Sequence, residues 1–227
     1  ITGYVDHRPA ISGIALESVD GAHIDGVTVT NITMVDVRAP IFLRLGNRGR
    51  DMDTPAPGSL RNVCIDNVVA TRASNPCVIA GIPGHPVQGV TLSNLRIEFA
   101  GGNPLRPDDE PVPEEIAAYP EALMFGALPA YGLYCRHAED IALERLRLRY
   151  TEPFWRITTD IYRAIDWPED GGMPSHAEPA AAGHAIVFDD VVGLTMDDVR
   201  ARPGEASLVH MVDVHGIDGE AAAFPEE

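Results

Sequence analysis

The sequence predicts an all-β fold of the β-solenoid kind, about five or six coils with two long loop insertions. Three observations carry that expectation. First, the stretch Gly21–Val37, GAHIDGVTVTNITMVDV, places Val27, Val29, Ile32 and Met34 in two period-two pairs on either side of Asn31. Second, the frame returns around Asn67, Asn94, Arg145 and Asp198, at spacings of 36, 27, 51 and 53 residues. A supersecondary unit that recurs with insertions, and cannot bury its apolar face alone, is the signature of a stacked repeat. Third, the units are rich in β-branched residues and contain no helical stripe.

Taken in order, the chain enters on one coil and completes a first repeat by residue 37. Each coil carries a second apolar strand: Gly13–Leu16, Ile41–Leu45, Cys77–Ile79, Leu133–Cys135, Ala185–Phe188 and Leu208–Val212. At the corners, Asn tolerates left-handed backbone and offers an amide to the same residue one coil away, so Asn31, Asn67 and Asn94 are expected to stack in register. Residues 38–58 follow a strand with a Gly-, Pro- and charge-rich loop that gathers Arg38, Arg44, Arg48 and Arg50. Period-two alternation with Ile41, Leu43 and Leu45 points Arg44 off the core. GIPGHPVQG forms a tight turn that exposes His85.

The insertion at 101–131 is acidic and Pro-rich at first, then carries Tyr119, Glu121, Phe125 and Tyr131. Loops this long are usually functional or disordered, and aromatics beside a carboxylate suit stacking on sugar rings. The insertion at 150–183 carries Tyr150, Phe154, Trp155, Tyr162 and Trp167, with a short helix expected over Arg156–Ile165 and a flexible loop after it. Both insertions are expected to flank a groove on the side of Arg44, Arg48 and Arg136.

The net charge of −17 argues against nucleic acid or an anionic membrane as partner, because both need a basic footprint. A local basic patch on such a chain could still hold a polyanionic glycan. Three cysteines, Cys64, Cys77 and Cys135, form neither a metal-ligand spacing nor a disulfide framework, so no metal and no cofactor are expected. The chain opens at Ile1 in mid-pattern, without a basic or apolar leader. It reads as one domain over 1–227, the C-terminal part of a longer rod.

GIALESVDGAHIDGVTVTNITMVDVRAPIFLRLGNRGR, GSLRNVCIDNVVA, IAGIPGHPVQGVTLSNLRI and above all the run YPE-x3-FG-x-LPAYG-x-Y-x-RH over 119–137 resemble glycoside hydrolase family 28, in its polygalacturonase-like and rhamnogalacturonan-acting branches. The resemblance covers residues 12–149 and, more loosely, 183–201. It implies a right-handed parallel β-helix, a secreted or periplasmic monomer, and hydrolysis of α-glycosidic bonds in pectic polysaccharide with inversion. Inversion needs a carboxylic acid and a carboxylate about 6.5–9.5 Å apart.

The family's N-T-D, D-D and G-H-G motifs find no counterpart in place. Asp108-Asp109 sits in a Pro-rich loop, Asp189-Asp190 and Asp197-Asp198 sit at coil corners, and Ala15 and Glu17 stand where the R-I-K strand would supply Arg and Lys. The catalytic carboxylates are therefore expected upstream of Ile1. These residues then supply substrate-binding groups: Arg44, Asn47, Arg48, Tyr119, Glu121, Tyr131, Arg136 and His137. The competing expectations are a non-catalytic glycan-binding or scaffold module and a polysaccharide lyase.

Overall fold

The computed structural model describes residues 4–5, 8–101, 104–151, 154–156, 178–180, 183–202 and 207–223. It is built of strands: β1 (Tyr4–Val5), β2 (Arg8–Ser18), β3 (His23–Val35), β4 (Val37–Leu45), β5 (Ser59–Ala73), β6 (Cys77–Ala80), β7 (Val87–Phe99), β8 (Pro104–Leu105), β9 (Ala130–Glu144), β10 (Arg147–Tyr150), β11 (Phe154–Arg156), β12 (Glu178–Ala180), β13 (His184–Ala201) and β14 (Val209–Ala223). No helix occurs among the described residues. Of the helix expected over 156–165, Arg156 lies in β11 and the rest falls outside the described residues.

The apolar frame around the corners explains the long strands. In β5, Leu60, Val63, Ile65, Val68 and Ala70 turn inward and are buried, while Asn67 takes φ 53° between the two halves. The equivalent corners Asn31, Asn94, Arg145 and Asp198 have φ of 61°, 55°, 53° and 51°. Parallel pairing of β3 with β5 and of β5 with β7 puts the three asparagines in register. Asn67 Nδ2 donates to Asn31 Oδ1 at 2.6 Å, as expected. The next rung departs from an amide ladder: Asn94 Nδ2 donates to Asp66 Oδ1 at 2.6 Å, and Arg145 Nε donates to Asn94 Oδ1 at 2.7 Å.

The expected right-handed parallel β-helix of five or six separate coils is corrected by the pairing. β7 pairs with β9, β9 with β13, β13 with β10 and β10 with β7, all parallel, so four strands close into a ring. The other strands of this sheet are bonded outside it: β6, β4, β2 and β1 run outward from β9, β5 and β3 from β7, and β14 from β13, while β12, β11 and β8 form a separate sheet. The physical reason lies at the corners. A single left-handed residue bends a strand without ending its ladder. The 15-residue β9 and the 18-residue β13 therefore carry hydrogen bonds on both sides of the bend.

Two apolar clusters result. The larger fills the interior and runs from Ile14 and Met34 to Val199 and Ala201, with Tyr131 at its centre making edge-on contacts to Phe99 and Tyr150 at 5.7 and 5.2 Å. The smaller lies on the opposite face of the β4–β6–β9–β13 sheet. There Phe42, Val78, Ala80, Tyr134 and Val187 are covered by Ala122, Phe125 and Leu128 of the 106–129 segment. Burial of a side chain the size of Phe125 or Leu128 contributes about 1.5–3 kcal/mol, so the segment is a structural layer of the fold. Cys77 and Cys135 are free, fully buried thiols; burial pushes Cys77 up to about 12 and Cys135 up as well.

Candidate functional site

The outward face of the β2–β4–β6–β9–β13–β14 sheet carries two rows in register. One reads Ala15, Phe42, Val78, Tyr134, Val187, His210. The other, two residues further along each strand, reads Glu17, Arg44, Ala80, Arg136, Asp189, Val212. Side chains on one row stand about 4.8 Å apart from strand to strand. The second row thus puts two guanidiniums two strands apart, flanked by carboxylates.

Segment 106–129 closes over the middle of these rows, and the two arginines hold it there. Arg44 donates to the carbonyls of Gly81, Glu114 and Glu115 at 2.9, 2.8 and 2.9 Å. Arg136 donates to the carbonyls of Val112 and Pro113 and to the Glu114 carboxylate at 2.9, 2.6 and 3.0 Å. Both guanidiniums lie over the Phe125 ring, at 5.1 and 5.2 Å from its centroid. Arg44 is 0% and Arg136 1% exposed. Burial, and then Arg136 beside it, lower Arg44 to about 10. Within the segment, Arg106 donates to the carbonyls of Ala127, Pro111 and Phe125 and fixes its own loop.

His137, at φ 45°, stands at the edge of this cover between two carboxylates: Nδ1 is 2.6 Å from Asp190 Oδ2 and Nε2 is 3.2 Å from Glu114. At the far end, His184 lies between Asp108 (Nε2 to Oδ2, 3.1 Å) and Ser207. The composition is that of a Ser-His-Asp site, but the order of bonds is not. Nδ1 lies 2.8 Å from the Ser207 carbonyl oxygen, to which it can only donate, and Ser207 Oγ donates to the Val209 carbonyl. The nitrogen next to the hydroxyl carries a proton, so it cannot take the hydroxyl's.

The near end of the face is open. Tyr119 is 70% exposed, and the Arg48 guanidinium lies 5.4 Å from its ring centroid. Arg48 is held by Asp20 through two hydrogen bonds, one of them Nε to Oδ1 at 3.0 Å. Arg48 and the Arg50 N–H hold Asp20 down at about 2. Glu17, also beside Arg48, is pushed the other way by burial. Two carboxyls near one guanidinium whose pKa values are pushed in opposite directions have the polarity of an acid–base pair. Here Asp20 already accepts three hydrogen bonds and is too weak a base to activate water.

The residues expected to bind substrate are therefore divided. Arg48 and Tyr119 meet at the open end, and Glu121 lies half-buried two residues beyond Tyr119. Asn47 is half-buried there, its N–H bonded to the Ile116 carbonyl at 2.7 Å and its Oδ1 buried without a hydrogen-bond partner. Arg44 and Arg136 are spent on the segment. Tyr131 is 0% exposed, its hydroxyl bonded to the Arg202 carbonyl at 2.7 Å. His137 serves the segment's edge. The first insertion does lie on the side of Arg44, Arg48 and Arg136, but it roofs that face instead of walling a groove. The second insertion is tied to the first through the β12–β11–β8 sheet; the rest of it lies outside the described residues. Asp20 and Glu114 are not among the residues the sequence singles out, and Glu17 is read there only as standing in place of a basic ligand. The alternation that turned Arg44 outward turns Glu17 outward on the neighbouring strand, so that one signal was present.

Among the described residues, no group of three or more His, Cys, Asp or Glu could hold a metal ion, and no helix is long and apolar enough to cross a membrane. Fold and site together define an all-β protein with a closed parallel sheet, a roofed polar face and an exposed tyrosine, Tyr119, beside it. No family model, curated protein or solved structure matches the chain.

Proposed function

We propose that the chain is carbohydrate-active and holds sugar rings of a polysaccharide at Tyr119, within a protein acting on α-glycosidic bonds of polygalacturonan or rhamnogalacturonan. The observation that carries this is the exposed Tyr119 ring, fixed by Arg48 and bordered by polar groups. A flat aromatic face takes the apolar face of a sugar ring, while carboxylates and guanidiniums take its hydroxyls. Hydrolysis itself is assigned to carboxylates outside these 227 residues, as the resemblance to the pectin hydrolases implies.

A second reading, a glycan-binding scaffold without hydrolysis in any form of the protein, is favoured by one observation. The two arginines best placed to grip substrate carboxylates on this face are committed to Val112–Glu115 and Phe125.

The test is calorimetric titration with neutral and acidic pectic oligosaccharides, alongside reducing-sugar release from homogalacturonan and rhamnogalacturonan. Binding is expected to weaken about tenfold in Tyr119→Ala, the loss of one stacked ring, and to survive in Tyr119→Phe, with no sugar released by these residues alone. Binding unmoved by Tyr119→Ala, or turnover abolished by Glu121→Gln, would overturn the assignment. Activity of the full-length protein separates the hydrolase from the scaffold.

A further inference from the structure

A second polar surface lies on a different face of the molecule, beyond the left-handed corners. Here β3, β5, β7, β10 and β13 carry one row in register: Thr33, Val69, Arg96, Arg147, Arg200. The next outward position pairs Glu98 with Arg149. A shallow pocket of about 380 Å³ opens over this row, lined by Val69, Thr71, Arg96, Glu98, Arg147 and Arg149.

Like charges directly opposite one another on neighbouring strands destabilise a sheet. This chain holds 34 acidic and 17 basic residues, yet it stacks three of those bases in consecutive strands. Asp198 is shared by two of them: it pairs with Arg147 and, at 3.1 Å, with Arg200. Arg96 is exposed and has no ion pair or hydrogen bond from its side chain among the described residues. Against the three arginines of the row stand two carboxylates, Asp198 and, one position further outward, Glu98, which leaves a local surplus of positive charge on a strongly acidic protein.

We infer that the Arg96–Arg147–Arg200 row is a binding site for a linear carboxylated oligosaccharide, an oligouronate, lying across the strands. Strand spacing sets the arginine Cα atoms about 4.8 Å apart along a line, and a line of cations suits an extended chain with one carboxylate per sugar better than a compact anion. Arg147 and Arg200 lean toward the shared Asp198, and Arg96 is left as the open end of the line. Guanidinium forks bind carboxylates in two-pronged fashion. The exposed Val69, next to Arg96 in the row, gives a sugar ring an apolar seat. The site deepens the polysaccharide reading and rests on it. It also lets an acidic protein hold an acidic polymer, and it places that grip away from the roofed Arg44 and Arg136.

The experiment titrates the protein with a galacturonate tetramer, a neutral galactose tetramer and inorganic sulfate, at low and high salt. The galacturonate tetramer is expected to bind with an affinity that falls with salt. Arg96→Gln is expected to weaken it about tenfold, one charge-assisted contact, and to leave the neutral sugar untouched. Asp198→Asn, which removes the competing carboxylate but keeps a side chain suited to φ 51°, is expected to tighten it. Galacturonate binding indifferent to both variants, or sulfate bound as tightly as the tetramer, overturns the site. If galacturonate binding is lost in Tyr119→Ala but not in Arg96→Gln, the arginine row falls while the polysaccharide reading stands. If neither oligosaccharide binds the unaltered protein, both fall.

Discussion

Replacing Phe125 by leucine tests whether the roof over the polar face is held by its cation–ring contacts or by apolar burial alone. Phe125 is 1% exposed and its ring takes two guanidiniums at 5.1 and 5.2 Å. Leucine keeps most of the apolar volume, and such a swap costs about 1 kcal/mol in a packed interior. It removes the ring quadrupole from both arginines, and each desolvated cation–ring contact contributes about 1 kcal/mol or more. Phe125→Leu should therefore cost about 3 kcal/mol. Phe188→Leu is the control: that residue is equally buried, in the interior cluster, and should cost about 1 kcal/mol. Urea unfolding followed by circular dichroism reads the difference, which at a slope of about 2 kcal/mol/M is a midpoint shift of about 1 M between the two variants. Limited proteolysis should cut the 106–129 segment of Phe125→Leu first. Equal costs for the two substitutions would refute the reasoning, leaving the arginines held by the carbonyls alone.

Two further outcomes follow from the corners and from Asp20. Asn67→Ala should destabilise the fold by about 2 kcal/mol, because alanine at φ 53° is strained and the bond to Asn31 is lost; Asn67→Gly should recover the backbone share, and equal urea midpoints for the two would sink the account. Arg48 lowers Asp20 from its ordinary 3.8 to about 2, so the stability it adds is complete above about pH 4 and is lost as pH falls through about 2. Asp20→Asn should flatten the pH dependence of the urea midpoint over that interval, and an unchanged profile would remove Asp20 from the acid response.

The strands and their register were legible because they depend on local pattern. Val27, Val29, Ile32 and Met34 announce their face by alternation, and the asparagines announce the bend by their tolerance of left-handed backbone. Ring closure was not legible, since it depends on which strand continues through a corner, and β9 and β13 look like their shorter neighbours in sequence. Arg44 shows the same limit at the site. Alternation correctly turned it off the inner core, but a sheet has two faces, and the second one is covered. The cover comes from a stretch whose prolines and acids read as loop, and whose apolar residues, Ala122, Phe125 and Leu128, are too sparse to form a pattern. The run at 119–137 was the most distinctive in the chain. Several of its residues fasten that cover to the sheet: Phe125 under the arginines, Tyr134 beneath it, with its hydroxyl 3.2 Å from Asp189, and Arg136 reaching back to 112–114.

The closed circuit β7–β9–β13–β10 also bears on how the molecule carries force. In an open sheet every strand hangs from a single chain of neighbours, so parting one seam divides the sheet in two. Around a circuit each strand is reached by two routes, and a pull that opens the short seam between β10 and β13, two residue pairs long, leaves the β7–β9 and β9–β13 seams to bear the load. The hoop acts as an anchor with a second path between any two of its strands, whereas β14 and β3 at the margins each hang from one neighbour along a single long seam.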